Sequence, residues 1–535
     1  MKKQIIPFLA LLVGGIALSA CYGDKSSLDT GKLPEVVIDV AGTPYADGVI
    51  RVGYMEELAL APKVTKAGKE DHPDLSYRWT LNEIPDKVSS KVISEERDLD
   101  YVVQRAIMSN PYTLWLTVTD NATTMEYLYA WEMYVESSFG EGILVAYTRD
   151  GTTSDFALIM DSHVSADYQK ETFIRDGLYE AANGVPVPAL IKNACYTADA
   201  ARWGIYQNII RATTTEGILI VNCIDYSRMD DEMVYVPDNF VPDKFVKMRQ
   251  ASMLNAGPAG IYVMGQIDKK PTMPLLVLDN GGVADIKLSV DSHEQGDSPA
   301  AVWYHNGKFY RYNSPFSSPA IAAFDNTSIT AAFDPTNLPG QECRAAGLST
   351  DRTHTLLLKE IASGNHALYT FTREVNNYPD PTTPSVARAK IDIPASLNAL
   401  LDQAVSIFFI SDQAVMYVAT TNAITPVIFA GGVVNAGTPY AIPAGETLVM
   451  AKLFQQGVYV DNRDVFEDSL EPRDPLPLNN RAVLFATSSG AYDSDVYVVP
   501  MVTNLASSGT LDTDPAKALK FPVEGKVLDI VMQGK

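Results

Sequence analysis

Six histidines, four cysteines and 65 acidic residues are the groups in this 535-residue chain with the most chemistry to offer. The histidines (His72, His163, His293, His305, His354 and His366) are scattered, and no two stand at metal-ligand spacing. His305 adjoins Asn306-Gly307, a turn dipeptide, which predicts a solvent-exposed ring. No Gly-x-Ser-x-Gly elbow, His-Glu-x-x-His helix or phosphate-binding glycine loop occurs. A glycosidase needs two carboxylates about 5–9.5 Å apart across the scissile bond, and carboxylates are numerous enough to leave that option open. Asp230-Asp231-Glu232 and Asp493-Ser494-Asp495 offer hard oxygens suited to Ca²⁺, but neither has the spacing of an EF-hand loop, and solvated turns account for both. The expectation is therefore no catalytic residue, no metal site and no cofactor, with the ligand-binding residues unassigned.

Cys21 is different. Lys2-Lys3 precede an apolar run over 5–18, followed by Ser19-Ala20, the pattern of a secretory signal. The run is too short, and too interrupted by Gly and Pro, for a good membrane span. Leu18-Ser19-Ala20-Cys21 matches the bacterial lipoprotein box, which implies cleavage before Cys21 and lipidation of its thiol. Several acyl chains (palmitate among them) on one residue hold a membrane far better than one. Residues 1–20 then form a lipoprotein signal peptide and 21–32 a tether. Asp24 and Asp29 in the tether resemble the export signal of surface lipoproteins in Bacteroidetes, a generic flexible tether being the other reading. Cys195, Cys223 and Cys343 remain. An oxidising compartment allows one disulfide and leaves one thiol. Cys195 and Cys223 can pair, or Cys223, inside the apolar run 217–224, is a buried thiol.

Composition bounds the rest. The net charge of −23 repels phosphate backbones, and no basic stretch compensates, so nucleic-acid binding is not expected. Hydrophobic residues at 46% supply two or more cores. Over 33–137 the elements are short strands. Residues 75–81 alternate with period two around Trp79, and 112–120 and 127–135 flank a turn at 121–124. About a hundred residues of this kind fit an immunoglobulin-like sandwich.

From 138 to 535 the rhythm changes to paired apolar runs separated by polar turns, including 142–147, 355–358 with 367–371, and 483–490 with 495–499. Asn306-Gly307 predicts a type I′ hairpin over 303–312. Units of roughly 50 residues suggest a β-propeller of seven or eight blades. Helix-like spacing occurs only over 166–182 and 394–401, and Pro-rich loops at 378–384 and 461–478 can build a binding face. Trp79, Trp115, Trp131, Trp203 and Trp303 lie in strand patterns and are expected in cores. Asp468-Ser469-Leu470 resembles the O-glycosylation acceptor pattern of exported Bacteroidetes proteins.

Leu18–Cys21, the tether after it, Tyr77–Leu81, Thr117–Asp120 and residues 142–147 together resemble the PKD-like family of Bacteroidetes lipoproteins, over essentially the whole mature chain. That resemblance implies an all-β protein, with a PKD-like β-sandwich followed by the propeller. It also implies an outer-membrane, lipid-anchored, non-catalytic protein facing the cell exterior. Its implied partners are a SusC/SusD-type nutrient transporter with its lid lipoprotein, and a glycan or peptide ligand. A propeller glycosidase or lyase, and a structural or adhesive surface protein, are the competing readings.

Overall fold

Leu75–Asn82 buries alternate side chains, so the period-two pattern around Trp79 is a strand with one face inward. A computed structural model describes residues 36–534 except 71, 86, 109, 167, 169, 170, 201–205, 230–239, 248–251, 265–285, 292–299, 314–319, 326–331, 375–382, 457–474 and 504–507. The signal peptide, Cys21, the tether, Trp203, the 230–232 acidic cluster, His293, the Asp468-Ser469-Leu470 motif and most of both Pro-rich loops lie outside the described residues. The chain divides into two compact units, Met1–Glu136 and Ser137–Lys535.

In the first unit, β1 (Val49–Gly53), β2 (Leu75–Asn82), β3 (Ser90–Ser94), β4 (Tyr112–Asp120) and β5 (Met125–Glu136) form one sheet in the order β1-β5-β4-β2-β3. Shorter strands, among them Val36–Asp39, Lys63–Lys66 and Glu57–Leu60, contribute to the same core. Trp79 and Trp131 stack there, 5.7 Å between ring centroids, and each indole N–H donates to a backbone carbonyl, of Glu96 and Tyr45 respectively. The Tyr112 hydroxyl donates to the Ala106 carbonyl six residues upstream, a bond of the tyrosine-corner kind found in immunoglobulin-like sandwiches. Asp120, at the end of the PKD-like motif, is buried and accepts from Lys66 Nζ at 2.7 Å. That bond ties β4 to the strand Lys63–Lys66; it holds the carboxyl below its usual range and raises the ammonium. Trp115 departs from expectation. It is 38% exposed, because Leu114 and Leu116 occupy the inward positions and the pleat turns Trp115 to solvent.

The second unit is propeller-like. Among the described residues, seven antiparallel sheets of three to five strands follow one another in chain order. The first sheet holds β6 (Gly142–Thr148), β7 (Asp155–Met160) and β8 (Phe173–Arg175). The next six begin with β9 (Ile191–Ala200), β10 (Lys244–Lys247), β11 (Leu288–Asp291), β12 (Gln341–Ser349), β13 (Ser406–Phe409) and β14 (Thr447–Leu453). The last strand, β15 (Lys526–Gln533), returns to pair antiparallel with β6 and completes the first sheet. Glycine is required at 525, just before that strand, because a Cβ there would lie 2.5 Å from the Tyr147 ring. Apolar clusters fill the gaps between successive sheets; one joins Ile143, Val145 and Ile530 of the first sheet to Leu484 and Val498 of the last.

Several local expectations hold. Asn306 and Gly307 have φ of 44° and 82°, as a type I′ turn between Ala300–His305 and Lys308–Asn313 requires. Ala395–Leu397 and Asn398–Asp402 are helical. Trp303 is buried. Others are corrected. His305 is 7% exposed, not solvated, because it closes the hairpin beside Tyr310. The 166–182 segment yields only the short helix Leu178–Asn183, since β8 and then Gly177, at φ 63°, interrupt the spacing. Of the two alternatives open for Cys195 and Cys223, the buried thiol is the one found: both are buried, and no disulfide joins any of the three described cysteines.

Asp529 on β15 fastens the returning strand. Its Oδ2 accepts from Ala194 N at 2.8 Å and Asn193 Nδ2 at 3.1 Å, both on β9; its Oδ1 accepts from Ile530 N and from Lys452 on β14. Removing this carboxylate leaves Lys452 with only the Ile530 carbonyl to bind and takes an acceptor from three other donors. Asp529→Ala is expected to cost about 3 kcal/mol, near the lower end for breaking a buried pair because Lys452 is a third exposed. Urea denaturation followed by circular dichroism measures it.

Candidate functional site

The first strands of successive sheets neighbour one another in cyclic order, from β15 through β9, β10, β11, β12 and β13 to β14 and back. They surround a central cavity of about 980 Å³, a size typical of ligand sites. Buried Asn193 and Ser289 and half-buried Ser406 lock adjacent inner strands. Asn193 Oδ1 accepts from Phe245 N at 2.8 Å, Ser289 Oγ donates to Gly347 O at 2.7 Å, and Ser406 Oγ accepts from Ala451 N at 3.1 Å. Gly347 lets β12 approach β13, since a Cβ would sit 2.9 Å from the Phe409 ring.

Charge distinguishes this lining. It contains Lys192, Lys244, Lys247, Lys287, Arg344 and Lys452 against three carboxylates, Asp243, Glu342 and Asp529. Each carboxylate stands by one of those cations. Lys192 lies 3.8 Å from Asp243 and also donates to Pro242 O at 2.7 Å; Arg344 lies 3.0 Å from Glu342; Lys452 binds Asp529. Lys247 Nζ lies 5.4 Å from the centre of the Tyr196 ring, and burial pushes its ammonium down to about 8. The described part of the lining thus holds more cations than carboxylates, in a chain of net charge −23.

None of these residues was singled out from sequence. A signal was available: a cation recurs at or beside the first strand of five of the seven sheets, at 192, 244, 287, 344 and 452, close to the repeat length. Of the groups considered from sequence, Cys195 and Cys343 line the cavity as thiols outside any disulfide; the described histidines and the 493–495 acidic cluster do not. His72 and His163 sit by Asp74 and Asp161 in turns. Asp495 is paired with Lys520 at 3.0 Å. Among the described residues no cluster of His, Cys, Asp or Glu has the arrangement of a metal site, and no helix is long and apolar enough to cross a membrane.

His354 stands behind the cavity wall, fully buried, its Nδ1 2.9 Å from Ser289 Oγ. With the serine hydroxyl donating to Gly347 O, its oxygen accepts the Nδ1–H of a neutral ring. Burial lowers this imidazole to about 4.

The geometry defines an all-β chain: a sandwich unit followed by a propeller-like unit with a basic central cavity. Residues 21–189 match the PKD-like family, a span that takes in the described part of the first unit and strands β6, β7 and β8 of the second. The match is narrower than the whole mature chain expected from the motifs. No curated protein matches the chain significantly. Among solved structures, the chain is similar to a quinonprotein alcohol dehydrogenase-like protein from Bacteroides thetaiotaomicron (12% identity, TM-score 0.42, covering 94% of this chain and 99% of that one). It is also similar to AztD from Citrobacter koseri (11% identity, TM-score 0.34, 86% and 99%). A third is PorZ, a surface component of the type-IX secretion system of Porphyromonas gingivalis (9%, TM-score 0.27, 66% and 45%).

His354 gives a pH prediction. Between pH 6.5 and about 4 the unfolded chain binds a proton that the folded chain refuses, so stability falls as pH drops through that window. In urea melts at pH 7.0 and 4.5, His354→Asn should shrink the stability difference between the two pH values by about 2–3 kcal/mol relative to the parent.

Proposed function

We propose that the second unit is a seven-bladed β-propeller closed by β15, and that the chain is a non-catalytic, lipid-anchored binding protein of the outer membrane, facing the cell exterior. In this reading Cys21 carries the lipid, and the propeller cavity takes a glycan or peptide for a SusC/SusD-type uptake complex. The observation that carries the binding role is the cavity itself, formed jointly by all seven inner strands and large enough for a small ligand. Its carboxylates support a non-catalytic role. Asp529 is consumed by four structural donors, and Asp243 and Glu342 each lean on a neighbouring cation. A general acid and a base or nucleophile facing each other across an open gap would look different. The box Leu18-Ser19-Ala20-Cys21 supports the anchor.

Two measurements test this. Cys21→Ser should move the protein from the detergent-soluble membrane fraction to the aqueous fraction and abolish acylation seen by mass spectrometry; membrane retention of the unacylated variant would refute the anchor. The parent protein, isolated from gently solubilised outer membranes, should bring down a TonB-dependent transporter and its lid lipoprotein in near-equal amounts. Recovery alone, or release of reducing ends from polysaccharide by the purified chain, would overturn the accessory role.

A further inference from the structure

Among the described tryptophans, Trp115 alone is not buried. We propose that the outward face of the first unit's sheet is a binding site for a neutral oligosaccharide, with one sugar ring stacked on the Trp115 indole. The site belongs to the first unit, so it depends neither on the cavity of the second unit nor on the uptake complex.

The pleat that turns Trp115 outward also fixes its neighbours. Thr80 of β2 and Ala130 of β5 stand directly opposite it on either side, and Thr113 precedes it by two residues on the same face. Trp79 and Trp131 stack on each other and give their N–H groups to carbonyls. Among the described residues, the Trp115 ring has no aromatic or cationic partner and its N–H has no acceptor. The hydroxyls of half-buried Thr80 and Thr113 are likewise uncommitted. Ala130 is too short to cover the indole. A sugar ring offers an apolar C–H face, and its edge hydroxyls need both donors and acceptors. A flat aromatic ring flanked by threonine hydroxyls, which do both, matches that surface.

The nearest charges select the class of sugar. Arg78, one row from Trp115 on β2, is held by Glu126 at 3.3 Å. Glu132, opposite Thr113 on β5, is exposed and makes no ion pair. No cation beside the indole is left to meet an anionic group, while Glu132 repels one and can accept from a sugar hydroxyl. A neutral sugar is favoured over an acidic one.

The patch is too small for a protein partner. Val92 and Leu128 are the exposed apolar side chains nearest to Trp115 on this face, and Thr80 and Thr117 interrupt them. With a tryptophan presenting at most about 250 Å², the exposed 38% of Trp115 is on the order of 100 Å². The three side chains together stay well below the roughly 800 Å² that each partner gives to a stable protein interface. Proline-rich peptides take grooves lined by aromatics. Here the next outward aromatic, Tyr134, lies four residues along β5 from Ala130 and is covered by the Arg51 guanidinium at 4.7 Å.

The full lipidated chain, in a detergent without a sugar headgroup, is titrated with five probes: cellohexaose, mannohexaose, maltohexaose, hexagalacturonate and hexaproline. At least one neutral hexasaccharide should bind by calorimetry, move tryptophan emission to shorter wavelength, and exceed hexagalacturonate in affinity by severalfold or more. Trp115→Thr, which keeps a good strand former on the surface, should weaken that binding at least tenfold and abolish the emission shift, with an unchanged melting temperature. Trp115→Tyr should retain affinity within severalfold, and Thr80→Val should lose severalfold. Sugar binding that survives Trp115→Thr would overturn this site and leave a glycan-binding cavity standing. Hexaproline or hexagalacturonate binding best would overturn the neutral-sugar assignment, and so would silence from all three neutral sugars. A dimer in sedimentation that Trp115→Thr dissociates would make the face a contact between copies and overturn the proposal as well. Co-isolation with the transporter decides the wider reading separately.

Discussion

The second unit depends on one junction, where the chain's last strand meets its first sheet and Asp529 fastens it. Each sheet of the ring has two faces to bury and needs a neighbour on both sides, as in other stacked-repeat architectures. Between most sheets, packing of Val, Leu, Ile and aromatic side chains supplies the adhesion. Between β15 and β9 the contact is directional. Asp529 accepts four hydrogen bonds shared among β9, β14 and its own strand, and the Tyr226 hydroxyl donates to Gln533 Oε1 at 2.7 Å. Apolar surfaces tolerate a slip by two residues, because the same face stays inward. A carboxylate with four fixed donors does not, so the polar junction sets the register at which the ring closes.

The same carboxylate links closure to the cavity. Asp529 and Lys452 belong both to the fastening and to the lining, so the wall facing a ligand is held by the bonds that hold the ring.

Much of the fold can be read from residue order alone, and the reasons for the misses are physical. Alternation around Trp79 and the Asn306-Gly307 pair are local signals, decided within a few residues, and both appear as expected. Trp115 and His305 fail because burial is decided across strands: Trp115 falls on the outward phase of β4, while His305 is covered by the hairpin it ends. The 166–182 spacing fits a helix in isolation, but pairing of Phe173–Arg175 with β7 takes half of it. The basic cavity is the most distant of all. Its cations lie some fifty residues apart along the chain, and only the closing of seven sheets into a ring gathers them.

The pairing of β6 with β15 also sets an order of events. Gly140 and Gln533 are hydrogen-bonded although 393 positions separate them. The strand that completes the first sheet is made long after β6, so that sheet stays open along its inner edge until β15 follows. Contacts of such long range form slowly. A chain that emerges N-terminus first therefore holds β6 without its inner neighbour until β15 arrives, and the cavity takes shape only then.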